Sequence, residues 1–365
     1  MSESISARIA LLCSSSVDGR GRSRNSDRYG YTLIEVLVAV SVVGMVIALL
    51  LPAVSAARES ARRARCVSNL KQIVTALHSY HDFHGSFPAG RFLSHDARYL
   101  AFGVPCAGPT DRSYLVSILA NIEQEVVYNS VNFEVSIFSN ENSTIHSVTA
   151  GTFSCPSDPD SMYPRSGDPF KRLPNVDSSQ PNWRSLSRTS YAGFLGIHGL
   201  WALPDANRDC RVDPVAIAMA NGCITDVAPV SFGNITDGLS NTIVVAEKST
   251  TILQELDVPH FPDLREQIGW WFSGQLGDTL LVGSYPPNAH NAVHSPNKDL
   301  WTLSASSLHR GGVNVAFADG SIRFISEKIQ SSPLEPMFGA PIIDSPPGVW
   351  QKLISRNDGE FVTDY

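Results

Sequence analysis

The sequence has little that resembles catalytic machinery. It contains no GxSxG elbow, no HExxH, no GxxxxGK[ST] loop and no GxGxxG, so motif-borne hydrolysis, phosphate transfer and dinucleotide binding have no support. No enzymatic activity and no cofactor are expected. Charge is scarce, at 17% of residues against an average of about 25%, and the formal net charge is −7. A chain of that sign lacks the basic face of a general nucleic-acid binder, so no nucleic-acid partner is expected. The six cysteines, Cys13, Cys66, Cys106, Cys155, Cys210 and Cys223, form no CxxC pair, which argues against a zinc site of the usual spacing. No internal repeat is visible.

What is present is a long hydrophobic run. Residues 1–30 are polar and carry arginines; residues 33–51 then read LIEVLVAVSVVGMVIALLL, with Glu35 as the only charge. That is about the 20 residues a bilayer-spanning helix needs. It is longer than the apolar core of a secretory signal. Helical periodicity continues through Leu70, Ile73, Val74, Leu77 and Tyr80, with stop signals at Gly85 and Pro88. One helix is therefore expected from about Thr32 to His84, roughly 80 Å long, with Pro52 interrupting one backbone hydrogen bond.

Gly30-Tyr31-Thr32-Leu33-Ile34-Glu35 resembles the type IV prepilin cleavage and N-methylation signal, with Tyr31 where phenylalanine is commoner. The resemblance implies cleavage after Gly30 by a prepilin peptidase, methylation of the new Tyr31 amine, and a role for Glu35 in assembly with pilin-like subunits. A lone carboxylate in lipid is costly and calls for a partner. Arginines stand on both sides of the span, so charge does not fix its orientation. Orientation follows from the resemblance: a single-pass protein of the inner (cytoplasmic) membrane, with its C-terminal domain outside the cytoplasm.

Beyond Pro88 short apolar runs alternate with turn signals, as in an antiparallel β-rich domain. Strands are expected at 242–247, 270–273 and 313–325, a helix at 114–129, and long loops at 156–189 and 285–299. Asp319-Gly320 lies between two alternating runs and suits a type I′ hairpin. The fold class is thus α+β, a long, partly transmembrane N-terminal helix packed on an antiparallel β-rich, pilin-like domain. The expected organisation is leader 1–30, helix 31–85 and exported domain 86–365.

A second resemblance covers nearly all of the mature chain. His309, nine residues, then Asp319-Gly320 is similar to the C-terminal signature of the DUF1559, or H-X9-DG, family of prepilin-processed proteins. Matching segments include Arg62-Arg63-Ala64-Arg65-Cys66, Asn69-Leu70-Lys71-Gln72-Ile73, Leu77-His78-Ser79-Tyr80-His81-Asp82, Cys155-Pro156-Ser157-Asp158-Pro159, Ser190-Tyr191-Ala192-Gly193 and Ile235-Thr236-Asp237-Gly238-Leu239-Ser240-Asn241-Thr242. The resemblance implies architecture and location rather than a mechanism.

Other candidates are bland by comparison. Asp237 and Asn241 lie in an oxygen-rich turn that could hold calcium, as do Asp205, Asn207, Asp209 and Asp213, but neither stretch has the EF-hand pattern. Cys210 and Cys223 could close a loop in an oxidising space and Cys106 could join Cys155, while Cys66 reads as a buried thiol. His78, His81 and His84 suit a helix–sheet junction. Two functions remain: a pilin- or pseudopilin-like structural subunit that self-associates through its helix, or a tethered extracytoplasmic module that binds a solute or polysaccharide. Aromatic side chains such as Trp270, Trp271 and Trp301 lining a pocket would favour the second.

Overall fold

The computed structural model describes residues 31–92, 112–167, 185–197, 220–225, 229–255, 268–291, 303–332, 346–360 and 362. It divides into two units, up to Ser55 and from Ala56 onward. Both draw on α1, Leu33–His84, with Pro52 inside it.

In the first unit every residue from Tyr31 to Ser55 is exposed, and α1 is long and apolar enough there to cross a membrane. Thr32 and Glu35 form a capping box: the Thr32 amide and hydroxyl donate to Glu35 Oε2 at 2.8 Å each, and the Glu35 amide donates back to Thr32 Oγ1 at 3.3 Å. Two otherwise orphaned amides are satisfied in this way.

In the second unit α1 buries Cys66, Asn69, Leu70, Ile73, Val74, Ala76 and Leu77. These positions recur at three- and four-residue steps, so they form one stripe. The stripe packs on a five-stranded sheet of order β5-β3-β4-β6-β7, built from β3 (Tyr191–Gly196), β4 (Ile243–Glu247), β5 (Leu280–Val282), β6 (Gly312–Phe317) and β7 (Ile322–Ser326). A small pair, β1 (Arg91–Phe92) and β2 (Arg112–Ser113), lies apart from it. Tyr191, Val245 and Ala316 meet the α1 stripe; Phe194, Ile243, Val313, Val315 and Phe317 form a second core with Trp350, Leu353 and Ile354 of the C-terminal helix Val349–Ile354. A sheet covered on both sides explains why β3, β4 and β6 are buried at every position.

The α+β class holds, with differences in detail. β3 and β5 run parallel within an otherwise antiparallel sheet. Residues 114–129 form not one helix but the pieces Tyr114–Ser117, Leu119–Ile122 and Glu125–Asn129: Ile118 leaves the helical region between the first two, and Glu123 takes a left-handed φ of 62° that ends helical propagation before the third. Residues 270–273 make only isolated bridges, to Arg188 and Arg112, since Asp278 gathers the Gly269 amide and the Ser273 hydroxyl into a turn. The β6–β7 turn is not type I′. Gly320 alone has positive φ, +84°, and its amide donates to Phe317 O at 2.9 Å, the pattern of a three-residue loop closed by a left-handed glycine.

The cysteines also differ from expectation. Cys66 on α1 is bonded to Cys155, 89 residues away. Cys223, expected as a partner for Cys210, is instead a free thiol at 1% exposure, enclosed by the core, and burial pushes its pKa up to about 12. Cys106 and Cys210 lie outside the described residues. Closure of so long a loop restricts the unfolded chain, a stabilisation of about 2–4 kcal/mol. Reduction, or the double change Cys66→Ser and Cys155→Ser, should lower unfolding stability by about that amount in a denaturant titration; an unchanged midpoint would show the bond to be unimportant.

Candidate functional site

The H-X9-DG residues lie where β6 and β7 meet α1. His309 precedes β6 and is 3% exposed. Its Nδ1 lies 2.9 Å from Glu59 Oε1 on α1, and its Nε2 lies 3.3 Å from Glu247 Oε1 at the end of β4. Cys155 Sγ is 3.7 Å from the same Nε2, so the imidazole rests against the disulfide. Glu247 also accepts the Asn314 backbone amide at 2.8 Å and its side-chain amide at 2.9 Å, and Glu59 accepts from Arg62. A buried charge pair is tolerable only when its remaining lone pairs are satisfied in this way.

Eleven residues further on, Gly320 fastens the other end of the strand. Lys71 Nζ donates to Gly320 O at 2.7 Å, and His78 Nε2 lies 2.8 Å from Ala318 O. Asp319 Oδ1 accepts the Ser321 amide at 2.8 Å, a turn contact. Between these two points Arg63 sits over the Phe324 ring, 3.8 Å from its centroid. The signature therefore clamps the hairpin to α1 at both ends of β6. A six-residue strand covers about 20 Å, and the twelve helical steps from Glu59 to Lys71 cover about 18 Å, so the strand and the helical segment that fastens it match in length.

Next to this clamp, Asp158 is buried and its carboxylate accepts from the hydroxyl of Ser190 (2.9 Å), from the amides of Thr250 and Thr251 (2.9 Å each) and from the Thr251 hydroxyl (2.6 Å). Asn69 Nδ2 donates to Ser154 O at 2.9 Å. Asn69 thus ties the segment before Cys155-Pro156-Ser157-Asp158 to α1, while Asp158 ties the loop to the ends of β3 and β4.

The remaining candidates separate from this site. Asp237 is buried; its carboxylate accepts the amides of Asp358 (2.7 Å) and Gly359 (2.9 Å), and Asn241 Nδ2 donates to Asp237 O at 3.3 Å. Both residues thus serve turns and the C-terminal segment. Burial, with Asp237 nearby, raises the Asp358 pKa to about 6. His81 Nε2 accepts the Phe232 amide at 3.2 Å, consistent with a junction role. Trp270 and Trp271 are core residues at 0% and 1% exposure rather than pocket walls. Gly30, Trp301 and the acids at 205, 209 and 213, with Asn207, lie outside the described residues. Cys66, Cys155, Glu247 and His309 have ligand atoms within 4.8 Å of one another, but the sulfurs are joined to each other, which leaves only two donors for an ion.

Sequence reading missed Glu59, and it placed Glu247 in a strand and Asp158 in a family segment without assigning either a role. Glu247 had a visible signal: a charge closing the apolar run Ile243-Val244-Val245-Ala246 must find a partner if the strand is internal.

An exposed apolar helix headed by a methylation motif defines a prepilin-like, membrane-anchored protein, and residues 25–51 match the prokaryotic N-terminal methylation motif. Residues 55–332 match the model described as protein of unknown function (DUF1559), and the chain belongs to that family. Neither description names an enzymatic activity. No curated protein and no solved structure matches the chain.

Burial alone would lower the His309 pKa, but hydrogen bonds to Glu247 and Glu59 and their charges outweigh it and raise the value. For Glu59 burial pushes upward, and His309 and Arg62 reverse it to a net lowering. A raised histidine contributes stability that is complete below its unfolded pKa of about 6.5 and is lost as pH rises through the folded value. A lowered glutamate contributes stability that is present above about 4.3 and is lost as pH falls through the folded value. The clamp should thus be strongest between those limits. His309→Gln should cost about 3 kcal/mol near pH 6 and flatten the fall in stability above about pH 6.5; an unaltered pH profile would rule out the ion pair. Gly320→Ala should cost about 1–2 kcal/mol, because a Cβ at positive φ is strained and would stand 3.2 Å from His78 Cε1. A melting temperature equal to wild type would contradict the tight docking of this turn.

Proposed function

We propose that the chain is a pilin- or pseudopilin-like subunit, cleaved after Gly30 by a prepilin peptidase and methylated at Tyr31. It is anchored once in the inner membrane by α1, with its C-terminal domain outside the cytoplasm, and acts structurally rather than as an enzyme. The observation that carries this reading is the match to the methylation motif at the head of a helix whose apolar part is wholly exposed. Self-association through that helix supplies apolar partners for it, with Ala39, Ser41, Gly44 and Ala48 as the small residues that permit close approach. Glu35 caps its own helix, yet its charge remains available to the amine of a neighbouring subunit.

Intact mass and N-terminal sequencing of the membrane-extracted protein should give a chain that begins at methylated Tyr31. A start near Met1, or cleavage elsewhere, would sink the reading. Glu35→Gln keeps a side chain that can complete the capping box but removes the charge. It should abolish incorporation into assemblies while export persists, and normal cross-linking between subunits would exclude the assembly role.

A further inference from the structure

A cleft of about 430 Å³ opens beside the C-terminal turns of α1, lined by Tyr80, Phe83, Arg112, Asn121, Tyr128 and Phe133 among others. Its volume lies within the range of small-molecule sites, about 300–1,000 Å³. Phe83, one of its lining residues, is 85% exposed. A concave surface lined by aromatic rings with a few polar groups among them has the character of a ligand site.

Arg112 is the unusual member. Its guanidinium carbon lies 4.3 Å from the Phe92 ring centroid and 4.9 Å from that of Phe133. Its Nε is buried and makes no hydrogen bond. Among the described residues no carboxylate pairs with it, and the ionisable groups that bear on it are the phenols of Tyr128 and Tyr80. Three cations of α1 itself are engaged: Arg62 with Glu59, Lys71 with Gly320 and Arg63 with Phe324. A half-buried arginine with aromatic walls and no counter-charge has unused hydrogen-bonding capacity, which a planar carboxylate meets with two parallel bonds. Tyrosine and phenylalanine faces suit the C–H face of a sugar ring, and Asn121 and the phenols supply partners for hydroxyl groups.

We propose that this cleft binds an acidic saccharide, with the carboxylate of a uronate residue on Arg112 and a sugar ring against the wall formed by Phe83, Tyr80 and Tyr128. The proposal goes beyond the anchored-subunit reading and does not depend on it, since affinity is measured whether or not the N-terminus is processed.

The test uses the full chain in phosphatidylcholine nanodiscs, titrated calorimetrically with trigalacturonate, with neutral trigalactoside and with benzoate. Trigalacturonate should bind at least tenfold more tightly than either control. Arg112→Gln should weaken it about 10- to 100-fold, as expected for loss of a charge-assisted pair. Phe83→Ala alters an exposed side chain, so the fold should persist, and affinity should fall several-fold. Thermal melts verify that each variant is folded. If Arg112→Gln unfolds, Phe83→Ala and the salt dependence of binding decide. Equal binding of the neutral sugar, equal binding of benzoate, no binding of trigalacturonate, or full affinity in Phe83→Ala would each overturn the proposal.

Discussion

The fold depends on the fastening of the β6–β7 hairpin to α1. An isolated hairpin is marginal in water, and a helix with one apolar stripe needs a surface to cover it. Each supplies what the other lacks, provided they meet in one register. His309 sets that register. It bridges Glu59 on the helix and Glu247 on the sheet, and it lies against the covalent bond between Cys66 and Cys155. A helix slipped by one turn would carry Glu59 away from His309 Nδ1 and leave that buried ring nitrogen without its partner, a penalty of about 1–3 kcal/mol. Hydrophobic contact alone discriminates less well between such registers, because leucine, isoleucine and valine are tolerant of repacking.

The same helix joins two chemical environments. Its first part, from Leu33, exposes apolar side chains throughout, and its second part, from Cys66, carries the core stripe. Between them lie Arg58, Glu59, Arg62, Arg63 and Arg65, a polar segment that suits neither lipid nor core. That segment provides two of the contacts that fasten the sheet, Glu59 to His309 and Arg63 to Phe324. The charged stretch is therefore part of the folded domain and not merely a flank of the membrane span.

Patterns that depend on one element were legible in the sequence. The 52-residue helix, β4 and the β6–β7 hairpin follow from periodicity and turn residues. Features set by distant partners were not. The break at Glu123 is a single backbone conformation, invisible to an apolar pattern that continues through Val126 and Val127. The run Trp270-Trp271-Phe272-Ser273 has strand composition, yet Asp278 folds it into a turn. The pairing of Cys66 with Cys155 joins positions 89 residues apart, and spacing carries no information about such a bond. In the candidate site His309 and Gly320 were legible as a signature and His78 as a junction residue, whereas Glu59 as a partner, and the pairing of Lys71 with Gly320, became identifiable only once helix and sheet were in contact.

The residues that most attract attention in the sequence are thus committed within the fold. Both ring nitrogens of His309 face carboxylates, and the residue is buried, so neither is available as a base for an incoming substrate. Asp158 accepts hydrogen bonds from two separate segments, at Ser190 and at Thr250-Thr251, and the Asp319-Gly320 turn is held by lysine and histidine from α1. Satisfied groups give rigidity, not reactivity. Arg112 is different: it shares the same scaffold, stands between two aromatic rings, and has no carboxylate among the described residues. Capacity for recognition follows from what a fold leaves unsatisfied, and here that lies in the aromatic cleft at the end of the helix, outside the signature that defines the family.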